Sequence, residues 1–378
     1  MINLTNMGAG EGGAFHQISL AREFRRLGIE VRLIAPRRRQ FEPLPADFGE
    51  MCCLSPSVES LGLPVSIDSF LQVPHLLWAR LGRNYRYLYV RYNLFSILLA
   101  CLGRLLGMKV VVEHNSWGAG ERMSRGGSWL LGRMESISQV GIARLSHHSR
   151  CVSSGLADLL ANRGVPQRKL CVIGNGTDLN AFHPMEKSEA CNILNFNSGF
   201  RHIGFLGLLT PWQGCETAIR AMAHLDSHTN VKLVIGGEGP ERRKLEMLAK
   251  EIGVGDTVQF LGYVSRKHAN CLINCFDIAI APFTHTRNSE TGLSPIKIRD
   301  YAAAGRPIAA SAVPGISELT GGGWLFVHKP EDPKELALLL ERMLSPDFDL
   351  VAAGQAARKY AEQNFDWGMI AKQVASLF

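Results

Sequence analysis

The sequence predicts an α/β protein built from two parallel-sheet domains, on three observations. Short apolar runs alternate with amphipathic helical stretches along nearly the whole chain. That series runs once, stops, and restarts after a segment marked by Gly, Asn and Pro at Asn175–Ser188. A length of 378 residues suits two cores of roughly 150–200 residues better than one.

Taken in order, the first series places strands at Ile2–Asn6, Val31–Pro36, Tyr87–Arg91, Lys109–His114 and Leu170–Ile173. Helical spacing falls at Gly13–Leu27, Ser69–Leu81, Asn93–Leu106, Glu121–Gln139 and Gly155–Arg163. The second series places strands at His202–Leu208, Val231–Gly236, Val258–Val264, Ile278–Phe283 and Pro307–Ser311. Its helices fall near Cys215–Leu225, Pro240–Ile252, Lys267–Cys275 and Ser294–Ala304, and two more close the chain at Ala352–Phe365 and Trp367–Leu377. Strands alternating with helices give parallel sheets covered on both faces. The expectation is two Rossmann-like domains, residues 1–180 and 181–364, facing across a cleft, with 365–378 returning to the first. Ligands in such sheets lie beyond the carboxyl ends of the strands.

Composition narrows the class. Hydrophobic residues are 46% and charged residues 20%, which supports packed cores and excludes a disordered tail. The nine cysteines are scattered, mostly in apolar stretches, and no secretory signal is seen, which points to a reducing, cytoplasmic compartment. Cys271 and Cys275 stand one helical turn apart without a second pair or His cluster, a packing pattern rather than a zinc site. No metal site is expected. Leu94–Met108 is interrupted by Arg104 and is shorter than the roughly 20 apolar residues a spanning helix needs, which leaves peripheral attachment to the inner face of a membrane open.

The net charge of +7 is uneven. Residues 1–185 hold 21 Lys and Arg against 13 Asp and Glu, whereas residues 186–378 hold 20 against 21. Arg37, Arg38 and Arg39 run together, and Arg80, Arg83, Arg86 and Arg91 follow. Guanidinium forks suit phosphate oxygens, so this half fits an anionic partner such as a phospholipid surface or lipid-diphosphate acceptor. A solvated basic face explains the same charges. No nucleic acid is expected, since no basic stretch is interleaved with aromatics at a binding-module spacing.

Two glycine-marked segments carry the chemistry. Gly8-Ala-Gly-Glu-Gly-Gly13 follows a strand and opens a helix, where backbone amides and the helix N-terminus favour phosphate. With Arg37–Arg39 after the next strand, this stretch alone also permits an NADP-dependent oxidoreductase. The segment from Glu290 to Pro307 is more informative. It contains Gly292-Leu-Ser-Pro-Ile-Lys297 and then Asp300-Tyr-Ala-Ala-Ala-Gly305-Arg-Pro307. Ser294 is expected to cap the helix with Pro295 in its first turn. Amides at Leu293 and Ser294 then face an anion beside Lys297, and Asp300 can accept from two adjacent hydroxyls. The bland alternative is a capped helix in which Lys297 and Asp300, three apart, form a surface ion pair.

These segments resemble the retaining glycosyltransferases of family four, which have the GT-B fold. The resemblance runs nearly end to end. It includes Glu113-His-Asn115, Asn175-Gly-Thr-Asp178 through Phe182 and Pro184, Gly204-Phe-Leu-Gly207, Gly214, Gly236-Gly-Glu-Gly-Pro240, Phe260-Leu-Gly-Tyr-Val264 and the 294–307 run. It implies a metal-independent enzyme with a nucleotide-diphospho-sugar as co-substrate and no other cofactor. The sugar, of hexosyl or N-acetylhexosaminyl type, would pass to a glycan, lipid-linked or small-molecule hydroxyl with retention. It implies Tyr263 and Val264 against the base, Asp300 on the ribose, and Leu293, Ser294 and Lys297 on the diphosphate. Gly207 would lie at the donor and His114 near the transferred sugar, Gly12 and Gly13 would close on phosphate or sugar, and Glu290 would be a catalytic carboxylate standing in for the family's Glu two residues on. The sequence departs from the family at Gly292, where a Glu is usual, and at Leu208 and Gln213, where cations are usual. A catalytically silent GT-B partner or scaffold is therefore the alternative.

Other residues read as structural. Glu113 and Glu121 are expected to pair with the Arg-rich surface, Asp178 to brace the linker, and His147 and His148 to sit in an exposed loop. Trp212 and Trp367 are expected to anchor packing.

Overall fold

The computed structural model describes residues 2–3, 12–36, 52–55, 68–124, 126–225, 230–285 and 292–378. The chain forms two compact units, Met1–Asn175 with Trp367–Phe378, and Gly176–Asp366.

In the first unit β1 (Ile2–Asn3), β2 (Leu33–Pro36), β3 (Cys52–Ser55), β4 (Tyr87–Arg91), β5 (Lys109–His114), β6 (His148–Cys151) and β7 (Leu170–Val172) form a sheet. All its pairings are parallel, in the order β3-β2-β1-β4-β5-β6-β7. The strand order reverses between β1 and β4, which makes a topological switch point. Val110, Val111 and Val112 are fully buried, as a strand covered on both faces requires. The longer helices are α1 (Gly12–Arg26), α2 (Ser96–Leu105), α3 (Gly118–Ser124), α4 (Trp129–Leu145) and α5 (Ser154–Asn162), and two short ones, Asp68–Leu71 and Val73–Leu77, precede β4. Ser153 caps α5, its hydroxyl accepting from the Leu156 amide.

Several expectations need correction here. The helix expected over Glu121–Gln139 is two helices, because the chain turns at Gly126-Gly127 and the Gly127 amide closes onto the Arg122 carbonyl. Strands β3 and β6 were not marked by pattern. The sequence of β6, His-Ser-Arg-Cys, looks polar, yet Ser149 and Arg150 are both fully buried. His147 and His148 are not exposed loop residues. His148 opens β6 and both are half-buried, with His147 Nδ1 accepting from the Val110 amide at 2.8 Å.

The second unit holds β8 (Arg201–Leu206), β9 (Val231–Gly236), β10 (Val258–Gly262), β11 (Ile278–Ala281), β12 (Ile308–Ser311) and β13 (Leu325–His328). They form a parallel sheet in the order β10-β9-β8-β11-β12-β13. The switch point lies between β8 and β11. The helices are α6 (Lys187–Ile193), α7 (Cys215–Met222), α8 (Arg242–Glu251), α9 (Arg266–Cys275), α10 (Ile296–Ala303), α11 (Pro333–Leu344) and α12 (Leu350–Asn364). Short Asp caps start the last two: Asp332 accepts from the Glu335 amide and Asp349 from the Ala352 amide. Trp324, without exposed surface, packs 4.8 Å from the Tyr360 ring and anchors one side of the core.

The chain crosses between the units twice. At the first crossing the Thr177 amide donates to the Phe365 carbonyl at 2.7 Å, and Thr177 pairs with Asp366 in a parallel bridge. Beyond Asp366, α13 (Trp367–Ala375) belongs to the first unit. There Trp367, Ile370 and Val374 pack with Ile18, Leu20 and Phe24 of α1.

Candidate functional site

The second unit gathers most of the expected donor residues at one end of its sheet. Gly207 leaves β8, Tyr263 and Val264 leave β10, and Leu293, Ser294, Lys297 and Asp300 follow β11. The strands β8 and β11 flank the switch point, so α10 begins where an α/β sheet opens a crevice.

Lys297 sits on the first turn of α10. Its ammonium donates to Gln213 Oε1 at 2.7 Å and lies 3.5 Å from the centre of the Phe205 ring and 5.5 Å from that of Phe283. Gly207 leaves the room: a Cβ there would stand 2.9 Å from Lys297 Nζ. Burial lowers the ammonium to about 7, against a small opposing pull from Cys215. The rings offer a cation its π-faces but no negative charge.

Asp300 lies one turn on. Burial raises its carboxyl to about 7, opposed by the Thr177 hydrogen bond and by Arg266 and Arg299. Thr177 Oγ1 donates to Asp300 Oδ1 at 2.6 Å. Lys297 and Asp300 therefore reach to different elements, and the surface ion pair of the bland alternative is not formed. On the same helix the Tyr301 hydroxyl accepts from the Leu206 amide at 2.7 Å and ties α10 to the end of β8.

The backbone expectations need two corrections. The N-cap of α10 is Pro295, not Ser294, and it has no side-chain cap. The Leu293 amide does not stand open to an anion, because it donates to the Pro314 carbonyl at 3.0 Å. Gly292 explains its own departure from the family: its φ is +65° and a Cβ would stand 3.0 Å from the Pro314 carbonyl oxygen. A glutamate there would be strained. Gly237 shows the same economy, with φ +137° and room for a Cβ only 1.9 Å from the Gly207 carbonyl oxygen. Tyr263 is 53% exposed, whereas Val264 packs on the core. Leu208 is exposed.

In the first unit His114 ends β5 with no exposed surface. Its ring stacks on Tyr92, and its nitrogens lie 3.3 Å from Gln139 Nε2 and from Ser149 Oγ. Burial lowers it to about 3, so it is neutral at physiological pH. In this conformation it meets protein on every side. Gly12 and Gly13 open α1. Gly8–Glu11, Arg37–Arg39 and Glu290 lie outside the described residues, and with them the oxidoreductase alternative and one expected catalytic carboxylate.

Glu113 corrects a further expectation, since it pairs inward rather than with the surface. It is fully buried, accepting from Arg150 at 2.8 Å, from Gln17 at 2.8 Å, and from Tyr89 and Asn115. Burial alone would raise its carboxyl, but His16 and Arg150 hold it well below the usual range. Arg150 spends its remaining donors on the Ile173 and Gly174 carbonyls, just before the chain leaves the unit.

Thr177, Gln213, Tyr301 and Arg150 are the functional or supporting residues that pattern reading missed. Thr177 lay inside a quoted motif. Tyr301 lay inside another and Gln213 stood only as a departure from the family, whereas Arg150 carries no signal apart from the fold.

Residues 10–181 match the family model for Glycosyltransferase Family 4, and residues 200–346 match that for Glycosyl transferases group 1. An uncharacterized glycosyltransferase of Methanocaldococcus jannaschii is 29% identical over 222 residues, 56% of this chain and 54% of the relative. The chain spans about half the length of the curated relatives it matches. Sucrose-phosphate synthase of Thermosynechococcus elongatus has the same fold, with a TM-score of 0.82 at 18% identity over 100% of this chain and 97% of that one. HepE of Anabaena, solved in complex with UDP-glucose, gives 0.75 at 17% identity over 99% and 97%.

Proposed function

We propose that this chain, each half of which matches a glycosyltransferase family model and whose fold is GT-B, moves a sugar from a nucleoside-diphosphate donor to an acceptor hydroxyl. Transfer proceeds with retention and without a metal ion. The observation that carries this reading is the placement of Lys297 and Asp300 on successive turns of α10 at the switch point. Lys297 is a desolvated cation among aromatic rings, and a diphosphate supplies the counter-charge. Asp300 is a carboxyl already holding one hydroxyl, that of Thr177, and it accepts the ribose hydroxyls.

The chemistry then follows from charge. The bond from the sugar's anomeric carbon to the phosphate oxygen breaks, and its electron pair leaves on the diphosphate. Lys297 stabilises that charge as it develops, which is where catalytic binding energy acts. The acceptor oxygen bonds to the same carbon from the same face and gives its proton to the departing phosphate. Tyr263 and Val264 lie against the base, with Gly207 and the 293–294 backbone beside the donor. Gly12 and Gly13 close on phosphate or sugar, and His114 and Glu290 serve the sugar. The donor sugar is of hexosyl or N-acetylhexosaminyl type, and the acceptor is glycan, lipid-linked or small. The site of action is cytoplasmic.

The test is a thermal-shift screen of UDP-, ADP-, GDP- and TDP-sugars, since a ligand at 100 times its dissociation constant adds about 2.7 kcal/mol of stability. The stabilising donor is then followed by NMR for anomeric configuration, with and without EDTA. Stabilisation by none of them, or an inverted product, removes the reading. Gln213 and Leu208, both neutral beside the site, favour a second reading in which the chain is catalytically silent. Sugar transfer or donor hydrolysis by the purified protein excludes it.

A further inference from the structure

The first turns of α4 show solvent a face that a monomer surface rarely leaves bare. Trp129, Leu130, Met134 and Ile137 are 64%, 60%, 44% and 65% exposed. Their spacing puts them on one side of the helix, while Gly132, Gln139, Ile142 and Ala143 are buried on the other. Among these apolar groups stands Arg133, its guanidinium 5.7 Å from the Trp129 ring centre. Glu135 is the only carboxylate of α4, and it turns away from this arc to pair with Arg122.

The sequence around the helix is basic. Residues 96–172 hold ten Lys and Arg against four Asp and Glu, and two of those four, Glu113 and Glu135, are already paired to Arg150 and Arg122. We propose that this face of α4 docks in the plane of an anionic phospholipid bilayer. The apolar side chains enter the headgroup–acyl boundary, the indole lies at headgroup level, and Arg133 extends to the lipid phosphates. Among the described residues no helix is long and apolar enough to cross a membrane, so the contact is peripheral. A second copy is a poorer occupant. A two-fold contact centred on this face would bring Arg133 of one copy toward Arg133 of the other. The inference does not depend on the transferase reading.

The experiment is flotation of the full chain with two kinds of vesicle, phosphatidylcholine alone and an equimolar mixture with phosphatidylglycerol. Binding to the anionic vesicles is expected to exceed that to neutral ones by about tenfold and to weaken in high salt. The triple variant Trp129→Ser, Leu130→Ser, Ile137→Ser is expected to lose at least about tenfold in partition. Arg133→Glu is expected to lose about tenfold on anionic vesicles alone. Circular dichroism and thermal unfolding of both variants should match the wild type, as their changes are exposed. Equal partition of wild type and triple variant, or no binding to either vesicle, overturns the proposal. So does a dimer in sedimentation equilibrium that the triple variant converts to monomer while vesicles bind neither protein.

Discussion

Thr177 and Asp300 lie 123 residues apart in sequence and are joined by a hydrogen bond of 2.6 Å in which the threonine hydroxyl donates. That bond works against burial, which alone would push the carboxyl still higher than about 7. Thr177→Val should therefore raise the Asp300 carboxyl further. The acidic midpoint of nucleotide-sugar affinity, followed by calorimetry, should climb by about half a unit to one unit. A midpoint that stays put would detach Asp300 from the donor.

The same carboxyl also sets a pH trend in stability. It ionises near 3.8 in the unfolded chain and near 7 in the folded one. Through that window the folded chain keeps a proton that the unfolded chain has lost, so stability falls as pH climbs to 7. Asp300→Asn removes this loss. Calorimetric unfolding temperatures should fall more steeply from pH 5 to pH 8 for the wild type than for the variant.

Lys297 carries the opposite liability. Burial holds its ammonium at about 7 rather than 10.5, so the folded chain binds fewer protons between those values and stability drops as pH falls toward 7. Lys297→Met should unfold a few degrees higher than the wild type at pH 7 and yet bind the donor at least about tenfold more weakly. In the wild type, donor binding should take up protons, seen as a binding enthalpy that changes with the ionisation heat of the buffer.

Gly237 is a purely steric test. Gly237→Ala would place a Cβ 1.9 Å from the Gly207 carbonyl oxygen at a φ of +137°. A loss of about 3 kcal/mol or more in urea unfolding is expected, with donor affinity falling because the Gly207 loop is displaced.

Arg150→Met should leave Glu113 buried with its guanidinium partner gone. A cost of about 3–5 kcal/mol is expected in denaturant unfolding. Adding Glu113→Leu should recover part of it, because the uncompensated charge is then removed.

Much of this molecule could be read from its residues. Strands β4, β5 and β9 fall where apolar runs begin and end, because a strand covered on both faces has no choice but continuous hydrophobicity. The places of Lys297 and Asp300 on the helix after β11 could be read from spacing. What escaped was the partner of each, since Gln213 and Thr177 are set by folding and not by pattern. β6 escaped for a related reason: its arginine is buried only because Glu113 of the next strand receives it. The place of His114 at the end of β5 was legible. Its stacking on Tyr92 and its complete burial are tertiary facts that no local window contains.

The helix Trp367–Ala375 completes a hydrophobic cluster whose other members lie mostly in the first 111 residues. During synthesis that unit must wait, its packing unfinished, until residues 367–378 clear the ribosome, after the whole of the intervening unit has been made. Removing residues 367–378 would thus injure the first unit rather than the second.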